Sequence, residues 1–172
     1  MHFTGECFRA HDPAWSWSPL SGAGAALKGR RFNWPGLETL YLSLSVGTVF
    51  REVSAGFAHR LTPYVLCSYD VDCEDIADLT TAGTRAALNI ALPDLACPWA
   101  ADLAAHREPA SWPIVRHLLA TNHAGALVPS FAHGATADDR NLVLWHWGPD
   151  FPHKVMIYDP TGKLPRNQLS WT

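Results

Sequence analysis

The sequence predicts an α+β fold: a single compact domain, residues 1–172, in which a small mixed central sheet is flanked by helices. Three observations support this prediction. Segments with strand and helix patterns follow one another without the regular alternation that a doubly wound parallel sheet requires. A chain of 172 residues can bury roughly 70% of the surface that unfolding would expose. Its composition, 48% apolar with eight tryptophans and only 17% charged, is typical of a globular interior.

The first third of the chain is predicted to be loop, then strand, then helix. Prolines and glycines interrupt residues 1–36 repeatedly, so this region is expected to be mostly loop. Residues 39–44 have the β-branched and aromatic side chains of a strand. From Val46 the apolar residues recur at helical spacing as far as Phe57, with Ser45 as the expected N-cap.

The remainder mixes short strands with short helices. Strands are predicted at 65–71, 76–79, 126–129, 142–147 and 155–158. Helices are predicted by apolar spacing at 84–90, 99–105 and 112–120. For the last of these, Ser111 is the expected N-cap and Pro113 lies in the first turn.

Charge and cysteine usage disfavour several classes of partner. Thirteen basic and sixteen acidic residues give a net charge of −3, so no broad positive surface is expected to bind nucleic acid or an anionic membrane. No apolar run approaches the ~20 residues that a membrane helix needs. The four cysteines form no Cys-x-x-Cys pair, and residues 1–6 have neither a basic start nor an apolar stretch. We therefore expect a reducing, cytoplasmic location.

A series of short motifs contains most of the candidate functional residues. In chain order the motifs are Arg9 in a Cys-Phe-Arg run, GRRFNWPG at residues 29–36, Leu-Tyr-Leu at 40–42, Glu52, Pro129-Ser130, and Asn141 at the start of Asn-Leu-Val. In these motifs the chain resembles the RES-domain toxins, a family named for an arginine, a glutamate and a serine. The family pattern places its glutamate eleven residues after its tyrosine, which is the separation of Tyr41 and Glu52.

The resemblance has implications for fold, substrate and partners. It implies a core similar to that of ADP-ribosylating toxins, NAD as a consumed substrate, and an antitoxin protein that covers the active site. It also implies transfer of ADP-ribose either to a target acceptor protein or to phosphate. Two residues depart from the family pattern: Arg30 stands where a second glycine is usual, and Phe32 replaces a tryptophan.

The residue types suit cleavage of NAD. Departure of nicotinamide leaves an oxocarbenium-like ribose, which a carboxylate such as that of Glu52 would stabilise. Guanidinium groups match phosphate oxygens, so Arg31 and Arg9 are expected at the pyrophosphate. Tyr41 offers an aromatic face to the nicotinamide ring. Glu52, Arg31 and Tyr41 are therefore the predicted catalytic residues.

Three further residues complete the predicted NAD-binding set. Ser130 is expected to donate a hydrogen bond to a phosphate or ribose oxygen, in a positioning role and not as a nucleophile. The resemblance adds Asn33 and Asn141 to the set.

Taken singly, these residues have plainer explanations. Glu52 falls about 120° from the apolar face of its helix, as a solvent-facing charge would. Arg31 fits a solvated basic turn, Tyr41 a core strand, and Ser130 after Pro129 a turn. The order and spacing of the whole set favour the functional interpretation.

Other kinds of site lack their sequence patterns. The nine histidines show no His-Glu-x-x-His or cysteine-paired spacing, so no metal is expected. Ser130, His133 and Asp138 lack the glycine-flanked nucleophile turn of a hydrolase triad. Gly22-Ala23-Gly24 and Thr161-Gly162-Lys163 lack the spacing of dinucleotide and phosphate loops.

The resemblance to the RES-domain toxins thus implies that the chain is a toxin of a toxin–antitoxin system. Such a toxin would cleave NAD between nicotinamide and ribose and transfer ADP-ribose to a protein. The alternative within the same chemistry is phosphorolysis or hydrolysis of NAD. The alternative outside enzymology is a nucleotide- or protein-binding module without turnover.

Overall fold

A seven-stranded mixed sheet forms the centre of the fold. The structure, a computed structural model, describes residues 1–54 and 62–171, the side chains of 170 and 171 excepted. The strands are β1 Phe3–His11, β2 Leu40–Ser43, β3 Val65–Cys73, β4 Ile76–Asp78, β5 Gly125–Pro129, β6 Arg140–Leu144 and β7 His153–Ile157. They lie in the order β4-β5-β6-β2-β1-β3-β7, and β4 pairs with β5 in parallel whereas the other neighbours are antiparallel. The predicted α+β class and mixed sheet are confirmed.

Strand β1 corrects the expectation that residues 1–36 are mostly loop. It lies between β2 and β3 and pairs with β3 along its whole length, from Phe3 opposite Cys73 to His11 opposite Val65. Alternate side chains enter the core, including the fully buried Cys7. The first proline stands only at position 13, so nothing in residues 3–11 interrupts a strand. The sheet is consequently larger than predicted.

Six short helices pack around this sheet in the described chain. They are α1 Ala23–Ala26, α2 Val46–Ser54, α3 Ala82–Ala87, α4 Leu92–Leu95, α5 Trp99–Ala104 and α6 Ser111–Ala120. The predicted helix from Val46 is confirmed, and Ser45 caps it, because the Thr48 N–H donates to Ser45 Oγ at 3.1 Å. Phe57, at the predicted end of that helix, lies outside the described residues.

The expected N-cap of α6 is wrong. The helix begins at Ser111 itself, after Ala110. The Ser111 hydroxyl donates instead to the backbone carbonyl of Arg31. This side chain therefore holds residues 29–36, the GRRFNWPG segment, against α6. A long-range partner has replaced the local capping bond that the sequence suggested.

Apolar side chains fill both faces of the sheet. One cluster includes Cys7, Leu42 and Tyr69, and the other packs Val143 of β6 against Val115 of α6. A fully buried aliphatic side chain contributes about 1.5–3 kcal/mol, so the two clusters fix β1, β2 and β6 at the middle of the sheet. In the described part of the chain no helix has the length and apolarity needed to cross a bilayer.

Candidate active site

A cavity of about 630 Å³ opens where β1 and β2 meet α2 and the loop after α1. This volume lies within the range of small-molecule sites. Five of the residues predicted from the sequence line its wall: Arg9, Arg31, Tyr41, Glu52 and Asn141. The fold therefore brings together motifs that are as much as 132 residues apart in the chain, from position 9 to position 141.

Glu52 is held at the cavity by two hydrogen bonds to the same oxygen. Ser130 Oγ and Asn141 Nδ2 both donate to Glu52 Oε1, each at 2.6 Å. Glu52 Oε2 accepts no hydrogen bond within the described residues. Glu52 is exposed and lines the cavity, so one carboxylate oxygen is held by the protein and the other is available to a ligand.

Ser43 orients the amide of Asn141, and the sequence did not point to it. Ser43 and Asn141 are register partners on β2 and β6, and Ser43 Oγ donates to Asn141 Oδ1 at 2.7 Å. The amide oxygen is thereby occupied, so the amide nitrogen is turned towards Glu52. The only signal in the sequence is that Ser43 follows Tyr41 by two positions and so shares its face of the strand.

Ser130 donates its hydroxyl to a protein group in the structure. The acceptor is Glu52, and the side chain is buried. Donation to a phosphate or ribose oxygen of NAD stays a prediction. Its Oγ also accepts from the Ala132 N–H at 3.2 Å. Ser130 is therefore a positioning residue for the carboxylate.

Asp139 joins α2 to the segment that carries Ser130. Its carboxylate accepts from Thr48 Oγ1 at 2.8 Å and from Arg51 Nη1 at 2.7 Å, both on α2. Its backbone carbonyl accepts from the Ser130 N–H at 2.7 Å. The hydrogen bond from the Thr136 backbone, followed by that from Thr48, lowers the pKa of Asp139. Because the same residue contacts both elements, it sets the separation of Glu52 and Ser130.

Arg31 lines the cavity, and one nitrogen of its guanidinium already donates to backbone carbonyls. Nη1 donates to the carbonyls of Leu95 at 3.1 Å and Cys97 at 2.6 Å. The Cζ atom lies 4.8 Å from the ring centroid of Phe131, within range of a cation–π contact. Burial lowers the pKa of Arg31, and the charge of Glu52 opposes this change. Nε and Nη2 are the donors that face no carbonyl among the described residues.

Arg9 is fixed in a similar way by the loop after β1. Nη1 donates to the carbonyls of Pro19 at 3.2 Å and Ser21 at 3.1 Å, and burial lowers its pKa. Tyr69 Oη also donates to the Pro19 carbonyl at 3.0 Å and forms a hydrogen bond with His11. Burial, with the charge of Arg9, lowers the pKa of His11 to about 3. His11 is therefore neutral at physiological pH and leaves the positive charge to the arginines.

Tyr41 and Asn33 form a hydrogen-bonded link between β2 and the loop at residues 29–36, which is called the arginine loop below. Tyr41 Oη donates to Asn33 Oδ1 at 2.9 Å and accepts from the Phe32 N–H at 3.1 Å. Asn33 Nδ2 donates to three carbonyls, of Ala25, Trp34 and Leu37, and Asn33 does not line the cavity. Asn33 thus stabilises the loop, while the ring of Tyr41 remains on the cavity wall.

Comparison with known proteins assigns the chain to a family. The family model described as RES domain matches residues 6–167. The chain belongs to the RES-domain family. A solved structure described as the crystal structure of the M. tuberculosis MbcT–MbcA toxin–antitoxin complex contains a similar chain, with a TM-score of 0.67 and 24% sequence identity. The similarity covers 92% of this RES-domain chain and 84% of that chain. No curated protein matches the sequence significantly.

The RES-domain motif residues are not arranged as a hydrolase triad. The Ser130 hydroxyl donates to Glu52, whereas His133 and Asp138 are both exposed and neither forms a hydrogen bond with Ser130. Among the described residues, no three His, Cys, Asp or Glu side chains are grouped as metal ligands. The site in this RES-domain chain is thus a carboxylate held by amide and hydroxyl donors, with arginines on the same wall.

Proposed function

We propose that this RES-domain protein is a toxin that cleaves NAD between nicotinamide and ribose and transfers ADP-ribose to a target protein. The observation that carries the proposal is the carboxylate of Glu52, fixed through Oε1 by Ser130 and Asn141 at the wall of the cavity. A preorganised negative charge at this position suits a reaction in which positive charge develops on the substrate.

The chemistry follows from the free oxygen of Glu52. As the bond between the ribose carbon and the nicotinamide nitrogen breaks, the electron pair leaves with nicotinamide and the ribose becomes oxocarbenium-like. Oε2 of Glu52 would accept a hydrogen bond from a ribose hydroxyl and stabilise this cation. The acceptor then bonds to the ribose carbon and loses its proton. The hydrogen bonds from Ser130 and Asn141 hold Oε1, so the carboxylate does not rotate and Oε2 remains the oxygen that accepts from the ribose. The orientation of the carboxylate is thus set before the substrate binds.

The arginine side of the cavity suits the pyrophosphate of NAD. Arg9 and Arg31 are each anchored by backbone carbonyls at one nitrogen and retain other N–H donors for phosphate oxygens. The ring of Tyr41 on the same wall is the proposed contact for nicotinamide. Since Asn33 is buried outside the cavity, it supports this ring and takes no part in the proposed contact with NAD.

We propose a protein as the acceptor because Glu52 is exposed in the cavity, which a bulky acceptor requires. We also propose that an antitoxin covers the cavity. Two aromatic side chains of the wall, Trp15 and Tyr64, are 43% and 42% exposed, and exposed aromatic residues are typical of protein interfaces. The similar solved chain belongs to a toxin–antitoxin complex, and a cytoplasmic location is consistent with these roles.

Product analysis by mass spectrometry tests the proposed reaction. The protein is incubated with NAD and a cell lysate, with and without inorganic phosphate, and compared with Glu52→Gln. We expect nicotinamide release with ADP-ribose attached to a lysate protein, and loss of both products in the variant. Glu38→Gln is the matched control, because Glu38 is exposed and lies outside this cavity.

The other outcomes separate the alternatives. ADP-ribose 1-phosphate or free ADP-ribose, with no modified protein, would replace transfer by phosphorolysis or hydrolysis. Intact NAD with both the wild type and Glu52→Gln would make the chain a binding module and refute the enzymatic proposal.

A further inference from the structure

Arg30 is an exposed cation on the wall of the cavity with its donors uncommitted. Its side chain has no hydrogen-bond or ion-pair partner within residues 1–54 and 62–169, and its Cζ lies 6.0 Å from the ring centroid of Tyr41. Arg9 and Arg31, by contrast, each donate Nη1 to two backbone carbonyls. Of these three arginines, Arg30 is therefore the one that is free to place its whole guanidinium around a ligand.

The main chain beneath this side chain is rigidly held. The Arg30 N–H donates to the Asn33 carbonyl at 2.9 Å, and the Arg30 carbonyl accepts from Trp112 Nε1, also at 2.9 Å. Gly29 immediately before it adopts a φ of +75°, which glycine tolerates and other residues rarely do. The exposed guanidinium thus projects from a fixed position, so ordering it on a ligand involves the side chain alone.

Within the described part of the chain, the wall of the cavity carries a net positive charge. Three arginines and two carboxylates, those of Asp12 and Glu52, line that part of the wall. Asp12 accepts from the Ala14 N–H as a local cap, and Glu52 accepts from Ser130 and Asn141. After burial, the charge of Arg30 is among the causes that lower the pKa of Arg9, so the two cations are close enough to repel one another. An anion bound beside them would relieve this repulsion.

We propose that Arg30 binds a phosphate group of the ligand in this cavity. The proposal rests on the proposed function, because NAD brings a pyrophosphate and the phosphorolytic alternative brings inorganic phosphate. A guanidinium recognises both through paired, charge-assisted hydrogen bonds. This contact would supplement those of Arg9 and Arg31.

Calorimetric titration with ADP and with adenosine tests the contact without turnover. Arg30→Gln is expected to weaken ADP binding by about tenfold, the loss typical of one charge-assisted hydrogen bond, and to leave adenosine binding unchanged. Arg30→Lys should retain part of the affinity for ADP. Lys28→Gln is the matched control, since Lys28 is an exposed cation two residues away that does not line the cavity, and ADP binding should be unaffected.

A parallel measurement distinguishes the two sources of phosphate. If Arg30→Gln leaves ADP binding intact but weakens direct binding of inorganic phosphate, the contact is to free phosphate and the inference is supported. Unchanged binding of both ligands overturns the inference, as does equal weakening for ADP and adenosine, or a wild type that binds neither phosphate compound. Failure of the proposed function is recognised separately, because the wild type would then leave NAD intact whatever the effect of Arg30→Gln on ADP.

Discussion

Ser130 and Glu52, 78 residues apart in the chain, are joined by a hydrogen bond of 2.6 Å from the serine Oγ to the glutamate Oε1. Asn141 donates to the same oxygen at the same distance. The carboxylate therefore has a fixed orientation in the cavity before any ligand is present. Ser130 and Asn141 together therefore orient the Glu52 carboxylate.

Ser130→Ala should reduce the rate of NAD cleavage more than the binding of NAD. The substitution removes one of two donors to Oε1, so Glu52 would sample orientations that do not stabilise the ribosyl cation. We expect kcat to fall about tenfold to a hundredfold with little change in KM, measured by nicotinamide release. Ser18→Ala, which changes a serine of the cavity wall, should keep wild-type values. A rise in KM at constant kcat would instead indicate that Ser130 contacts the substrate directly.

Ser43 should act only through Asn141. Ser43→Ala frees the amide oxygen that it holds at 2.7 Å, so the amide can turn over and present oxygen to Glu52. We expect a loss of kcat that is smaller than that of Asn141→Ala. The double variant should be no slower than Asn141→Ala alone, because residues that act as one unit are not additive. Additive losses in this double-mutant cycle would contradict the arrangement.

Asp139 should make the stability of the protein depend on acid pH. Hydrogen bonds from Thr136 and Thr48 lower its pKa in the folded chain below the ordinary 3.8, and the unfolded chain lacks these bonds. The stabilisation is therefore complete above about pH 4 and is lost as the pH falls through the lower, folded pKa. Asp139→Asn should lower the midpoint of thermal unfolding at neutral pH, and the difference from wild type should shrink below about pH 4. Asp138→Asn, at an exposed neighbour, provides the control, and a difference that does not vary with pH would argue against this role.

Gly29→Ala should destabilise the arginine loop. A Cβ at this position would lie 3.1 Å from the Asn33 carbonyl oxygen and 3.2 Å from Trp112, at a φ of +75°. We expect a loss of about 2 kcal/mol in the free energy of unfolding, measured by urea denaturation. Gly83→Ala is the matched control, because that helical glycine has open space around its Cβ position, and alanine there should stabilise by up to about 1 kcal/mol. Equal behaviour of the two variants would show that the loop conformation has no strict requirement for glycine.

The sequence anticipated the local elements well where side-chain pattern alone decides them. The helix from Val46 with its Ser45 cap appears where its apolar spacing predicts it. The strand at β3 and the helix at α6 lie within a few residues of their predicted positions. Strand β1 was missed because its stability comes from pairing with β3, more than fifty residues away in the chain, and no local pattern reveals that partner.

By itself, the sequence determined the α+β class and the motifs, and it predicted that Arg31, Tyr41, Glu52 and Ser130 belong to one candidate site. These depend on residue type, order and spacing, which the chain carries directly. Only the tertiary structure decided what each side chain contacts. In the structure, Ser130 and Asn141 both donate hydrogen bonds to one oxygen of Glu52. The Asn33 amide donates to a backbone carbonyl, and Arg30 is exposed on the cavity wall. Hydrogen bonds of this kind depend on distances between strands and helices remote in sequence, and packing of the complete sheet sets those distances.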